Sequence, residues 1–148
     1  MALGQFLGQY QHNIDDKGRL AIPAKFRSPL ADGLVITRGV EKCLYVWDLE
    51  QWRQISDKLA KLPLMQANAR RVARHFFSSA TDTSLDKLGR VVIPQFLREY
   101  AGLSDEVMVV GLRGRIEIWD KAAWDAEYSD AEENGIAAYA ESLADLDI

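Results

Sequence analysis

The strongest constraint on this chain is that it carries one stretch of sequence twice. Ile14-Asp-Asp-Lys-Gly-Arg-Leu-Ala-Ile-Pro23 returns as Leu85-Asp-Lys-Leu-Gly-Arg-Val-Val-Ile-Pro94. An offset of 71 residues aligns Asp15 with Asp86, Gly18 with Gly89, Arg19 with Arg90, Pro23 with Pro94 and Arg27 with Arg98. After a slip of one residue, Gly39 matches Gly111 and Trp47-Asp48 matches Trp119-Asp120, and Trp52 and Trp124 complete the repeat. A chain built this way folds the same small unit twice. The pattern predicts a first module over 6–54, a helical connector over 55–76, a second module over 77–126 and an acidic, helical tail over 127–148.

Within one module, Phe6 to Ile14 reads as a strand, Asp15 to Gly18 as a tight polar turn and Arg19 to Ile22 as a second strand. Pro23 suits the first position of a short helix, where its missing N–H would have had no partner anyway. Leu34 to Arg38 and Leu44 to Trp47 read as two further strands. Asp48 is placed to cap a helix, with Gln51 at the capping-box position and Trp47 and Trp52 spaced as a hydrophobic staple. Trp119, Asp120 and Trp124 repeat that arrangement, so packing explains the four tryptophans better than base stacking does. The connector reads as a helical hairpin broken at Pro63, with Trp52, Ile55 and Leu59 on one helix and Ala69, Val72, Ala73 and Phe76 on the other. Arg70, Arg71 and Arg74 lie off that stripe, as a solvated face or as a surface for ion pairs between helices or subunits.

A module of about 50 residues has little interior of its own, and its short strands leave edges. Pairing between the halves, and of chain with chain, is therefore expected. The duplication also predicts a pseudo-symmetric pair of modules showing two similar turns on one side.

Charge is distributed unevenly. Residues 1–115 hold 17 Lys and Arg against 12 Asp and Glu, whereas residues 116–148 hold one against ten. A basic body with an acidic end is compatible with binding phosphates when the tail lies away from the binding face. No run of ~18 apolar residues could span a bilayer, and the N-terminus lacks the features of a signal peptide, so a cytoplasmic location is expected. The single cysteine, Cys43, and two distant histidines, His12 and His75, offer no metal-ligand spacing and read as structural residues. No cofactor is expected.

The repeated turn carries the chemistry. Asp15, Lys17 and Arg19 in one copy, and Asp86, Lys87 and Arg90 in the other, gather at a hairpin tip narrow enough to enter a major groove. Arginine pairs bidentately with a phosphate or with the N7 and O6 edge of guanine, and an aspartate four residues earlier can hold the guanidinium in place. On residue chemistry alone, the two aspartate–arginine pairs could equally be clasps that only close their turns. Lys25, Arg27 and Arg98 are further candidates for phosphate contact.

The doubled Asp-x-x-x-Arg followed by an apolar pair and Ile-Pro closely resembles the MraZ family, whose halves belong to the AbrB-like swapped-hairpin class. The resemblance covers nearly the whole chain apart from the acidic tail. It implies an α+β, β-rich fold, with tandem pseudo-symmetric swapped-hairpin halves forming a double-barrel core, a helical connector and a C-terminal helix. It further implies a sequence-specific, DNA-binding transcriptional regulator, nucleoid-associated, acting as a ring-like homo-oligomer on repeated promoter elements of the bacterial division and cell-wall gene cluster. The family's DNA-contact motif maps onto Asp15 and Arg19, with Lys17 between them, and onto Asp86 and Arg90. Leu88 stands where the first copy has Lys17, so the halves are expected to contribute unequally.

Three other readings follow from the same residues. The carboxylate pairs Asp15–Asp16 and Glu132–Glu133 lack a nucleophile, a phosphate loop or a metal-ligand partner, so catalysis is not expected. An oligomeric protein-interaction scaffold would use the tail or the connector as its docking surface. An antitoxin-like AbrB relative fits less well, because here both halves share one chain.

Overall fold

Alternation of side chains decides where each strand lies. The structure, a computed structural model, describes residues 6–143 and residue 145, so the part of the expected tail at 144 and 146–148 lies outside the described residues. The first half runs β1 (Phe6–Asn13), β2 (Arg19–Ala21), α1 (Ala24–Arg27), a 3-10 turn (Ser28–Leu30), β3 (Leu34–Arg38), β4 (Leu44–Asp48), α2 (Leu49–Ala60) and α3 (Ala67–Phe77). The second runs β5 (Thr81–Thr83), β6 (Arg90–Val92), α4 (Gln95–Ala101), β7 (Glu106–Arg113), β8 (Ile116–Asp120), α5 (Lys121–Asn134) and α6 (Ile136–Glu141).

The fold is α+β, and its halves exchange strands. A six-stranded antiparallel sheet has the order β1-β7-β8-β4-β3-β5, and β2 and β6 form a separate two-stranded ribbon. Strand β1 of the first half pairs with β7 of the second over its whole length, from Phe6↔Arg113 to Asn13↔Glu106. Strand β5 of the second half returns the exchange by pairing with β3. The hairpins β3–β4 and β7–β8 join along β4 and β8.

Residues two apart share a face of a strand. Leu34, Ile36, Leu44 and Val46 therefore fill one interior with Val107, Val109, Ile116 and Ile118 from the other half. Leu20 and Val91 of the ribbon, with Phe26 of α1 and Leu97 of α4, complete that interior. Each such side chain taken from water contributes about 1.5–3 kcal/mol, and here the contribution requires both halves at once.

The intervening residues face the other way. Tyr45, Trp47, Met108, Val110 and Trp119 form a second cluster under Trp52, Ile55, Phe76 and Trp124 of α2, α3 and α5. Asp48 caps α2 by accepting the Gln51 N–H at 2.7 Å, and Trp47 meets Trp52 at 6.5 Å between ring centroids. Trp119 and Trp124 repeat the contact at 5.7 Å. The indole N–H groups of Trp47, Trp119 and Trp124 donate to Thr37, Glu117 and Gln9. Cys43 is buried in the same layer, where burial and the Glu117 carboxylate push its thiol pKa up. The His75 ring is hydrogen-bonded to the Gly39 carbonyl.

Three local expectations are corrected. Pro23 is the residue before α1, in extended backbone, rather than its first helical residue. Strand β2 ends at Ala21, because the Ile22 N–H leaves the ribbon for the Gly89 carbonyl of the opposite turn. Val72 is 43% exposed, so it lies outside the packed stripe of α3. Among the described residues, no helix is long and apolar enough to cross a membrane.

Candidate nucleic-acid interface

The two turns are closed by their aspartates. Asp15 Oδ1 accepts the N–H groups of Lys17 and Arg19 at 3.0 and 2.9 Å, and Oδ2 accepts Arg19 Nε at 2.6 Å. Asp86 does the same with Leu88, Arg90 and Arg90 Nε at 2.9, 2.9 and 2.8 Å. A carboxylate that accepts three N–H groups is stabilised in its charged form. The backbone N–H of Arg19 is the largest influence holding Asp15 below the usual carboxylate range, and that of Arg90 does so for Asp86. Gly18 and Gly89 close the turns at φ of 80° and 76°, a region open to glycine and strained for other residues.

Each turn is also held by the opposite half. The Ile22 N–H donates to Gly89 O at 2.9 Å, and the Ile93 N–H donates to Gly18 O at 2.8 Å. Arg27 lies so close to Gly89 that an added Cβ would sit 2.4 Å from its Nε, and Arg98 approaches Gly18 in the same way. The Nε atoms of Arg27 and Arg98 donate to the carbonyls of Ile22 and Ile93 at 2.8 and 2.9 Å. Both arginines thus brace the turns across the pseudo-symmetry, a role that the sequence did not disclose because each bracing residue is far in sequence from the glycine it touches.

The ribbon sets the arginines side by side. Leu20 and Val91 are buried, so alternation puts Arg19, Ala21, Arg90 and Val92 together on the outward face. Arg19 stands opposite Val92, and Ala21 stands opposite Arg90. The four form a small tile with arginines on one diagonal. From that register the two arginines lie about 7 Å apart along the ribbon, two residues at ~3.4 Å each. Both are about one-third exposed, at 33% for Arg19 and 31% for Arg90. Their bonds to aspartate run through Nε, so the terminal nitrogens take no part in them.

Lys17 and Lys87 are exposed at the turn tips. Lys25 is exposed on α1, with its ammonium 5.8 Å from the centre of the Tyr10 ring. The structure thus gathers Asp15, Arg19, Asp86 and Arg90 at one ribbon, places Lys17 and Lys87 at its two turns and Lys25 on α1 beside Tyr10, and puts Arg27 and Arg98 against the turn glycines. Leu88, singled out in the sequence, is 65% exposed, and two further apolar residues that the sequence did not single out, Val92 and Phe96, are 53% and 45% exposed. The alternation Arg90-Val91-Val92 was the available signal for Val92.

Comparison with known families recovers the repeat. A family model described as "MraZ protein, putative antitoxin-like" matches the chain twice, over residues 5–75 and 76–147, one match for each copy of the turn. The matches cover nearly the whole sequence and support a regulatory role. With both Asp-x-x-x-Arg turns intact, with strands exchanged between its halves, and with two successive family matches, this chain belongs to the MraZ family.

Proposed function

We propose that the protein is a sequence-specific DNA-binding transcriptional regulator whose reading element is the β2–β6 ribbon and its two turns. The observation that carries this reading is the outward tile, on which Arg19 and Arg90 are pre-oriented by Asp15 and Asp86. A guanidinium held through Nε has its terminal pair to offer to guanine N7 and O6 or to a phosphate. Lys17, Lys25 and Lys87 add phosphate attraction, and Arg27 and Arg98 support the turns and add positive charge behind them. In this reading residues 6–54 and 77–126 are the two reading modules, 55–76 the connector and 127–148 a tail held away from DNA.

One ribbon neutralises few phosphates, so a single subunit binds weakly and with strong dependence on salt. Affinity then comes from several subunits engaging repeated sites, as a ring-like homo-oligomer would. A groove of about 440 Å³ between α2 and α3 supports assembly, with Leu64 and Phe77 in its wall and Arg70 and Arg74 at its rim. The tail offers matching chemistry, with exposed Ile136 and Leu143 on a segment rich in acidic residues. By its resemblance to the family, the proposed targets are promoter repeats of the bacterial division and cell-wall gene cluster, and the proposed location is the nucleoid.

An anisotropy titration tests the reading directly. Duplex carrying such repeats is expected to bind more tightly than scrambled duplex, and Arg19→Ala is expected to remove the preference. Absence of binding to either duplex at low salt would overturn the reading in favour of a protein-interaction scaffold.

A further inference from the structure

At three aligned positions around the reading face a lysine or alanine of the first half gives way to an exposed apolar residue in the second, while a fourth, Asp16, becomes Lys87. Lys17, Ala21 and Lys25 in the first half become Leu88, Val92 and Phe96 in the second. All three replacements are substantially exposed, and Leu88 has the greatest exposure. Single exposed apolar residues are ordinary on protein surfaces. These stand at a turn tip, on the ribbon and on the following helix of one half, where their counterparts are two lysines and an alanine. Val92 is directly opposite Arg19, so one corner of the tile pairs a guanidinium with a branched aliphatic side chain.

A major-groove floor contains one apolar feature that a protein can recognise, the 5-methyl group of thymine. Adenine and guanine present polar groups there, and cytosine an amino group beside a bare C–H, so none of them offers a methyl. We infer that Val92 reads a thymine 5-methyl group next to the base or phosphate taken by Arg19, and Leu88 one next to that taken by Arg90, an assignment that rests on the DNA-binding reading above. The first half has only polar side chains at its tip, whereas the second carries Leu88 at its tip and Val92 on the ribbon, so the ribbon has a direction although its backbone is pseudo-symmetric. Val92 is held by β6 and Leu88 by the Asp86 turn, and both are therefore presented without a loop having to reorganise.

Removing the methyl groups from the DNA tests this without disturbing the protein. A duplex selected from a random-sequence library is prepared once with thymine and once with uracil throughout, and both are titrated with the full chain. The unmodified protein is expected to prefer the thymine duplex about fourfold for each methyl it contacts. Val92→Ser and Leu88→Lys are each expected to reduce that preference and together to abolish it, whereas Val92→Thr, which keeps a methyl, should retain it. Thermal unfolding of the same variants verifies that the ribbon is intact. Equal binding of both duplexes by the unmodified protein, or a full preference surviving in the double variant, would overturn the inference alone. Failure to bind either duplex would overturn it together with the DNA-binding reading. A smaller assembly mass for Leu88→Lys, with the thymine preference unchanged, would overturn it by assigning the apolar corner to contact between copies.

Discussion

The turn at Asp15–Gly18 and the turn at Asp86–Gly89 make the same five hydrogen bonds and end in different surfaces. Aspartate, glycine and arginine recur because their side chains or dihedral angles close the loop. The positions between them use only backbone groups, and there the halves have diverged: Asp16 becomes Lys87 and Lys17 becomes Leu88. The Lys17 and Leu88 N–H groups bond to their aspartates equally well, because that bond is indifferent to the side chain attached. Duplication thus preserved the scaffold of the turn and released its tip.

Alanine in place of each arginine probes the comparison most strongly. Arg19→Ala and Arg90→Ala are each expected to lose about 1–3 kcal/mol per DNA contact, multiplied across the subunits of an assembly. Arg19→Ala should lose more, since Lys17 lies two residues from Arg19, whereas the lysine of the other tip, Lys87, lies three residues from Arg90 with Leu88 between them. An anisotropy titration in which Arg90→Ala is the weaker binder would reverse the ranking of the halves.

The glycines come next. Gly18→Ala and Gly89→Ala place a Cβ at positive φ against an occupied space, at a cost of about 1–3 kcal/mol each. Gly18→Ala is expected to be worse, because its Cβ would sit 2.9 Å from the Ile93 backbone carbonyl, whereas at Gly89 the obstacle is the Arg27 side chain. Thermal midpoints of the two variants decide this.

Exchanging the tips has a smaller effect. Lys17→Leu should make the logarithmic salt slope of DNA binding shallower by about 1 per contacting subunit, and Leu88→Lys should make it steeper by a similar amount. Equal and opposite changes would show that the turns are interchangeable scaffolds, and unequal ones that only one tip lies near phosphate.

The mildest test is acid. Asp15 and Asp86 are both held below the ordinary carboxylate range by the N–H groups they accept. Their contribution is complete above the unfolded-state pKa and is lost as pH falls through the lowered folded values. Carboxyl carbon shifts followed by NMR should show both aspartates titrating below the exposed carboxylates, with the thermal midpoint falling over the same interval. A normal titration for one of them would mean that its turn is open in solution.

What the sequence revealed follows from the range of the interactions. The turn was legible because Asp15, Gly18 and Arg19 interact within five residues, and the repeat at Asp86 showed that the pattern was not accidental. The cap at Asp48 and the Trp47–Trp52 contact were legible for the same reason. The pairing of β1 with β7 was not readable from alternation, which tells only which face of a strand is buried. The swapped class came from the resemblance, and the register came from the structure. The bracing of Gly89 by Arg27 joins residues of opposite halves, so in sequence both bracing arginines looked like surface charge. Strand β5 is three residues long where β1 has eight: of the positions 77–84 that align with β1, Phe77 ends α3, the N–H groups of Ser78 and Ala80 still donate to α3 carbonyls, and the strand starts only at Thr81.

The exchange of strands also governs when the molecule becomes competent. Strand β1 finds its partner only at residues 106–113, and the Gly18 turn finds its brace only at Arg98. While the chain is being made, its first turn leaves the ribosome long before either exists, so a nascent or prematurely ended chain presents no finished ribbon. A chain that ends before residue 113 lacks part of the β7 partner, and one that ends before Arg98 lacks the brace as well, so only molecules synthesised past β7 hold the complete ribbon and its turns.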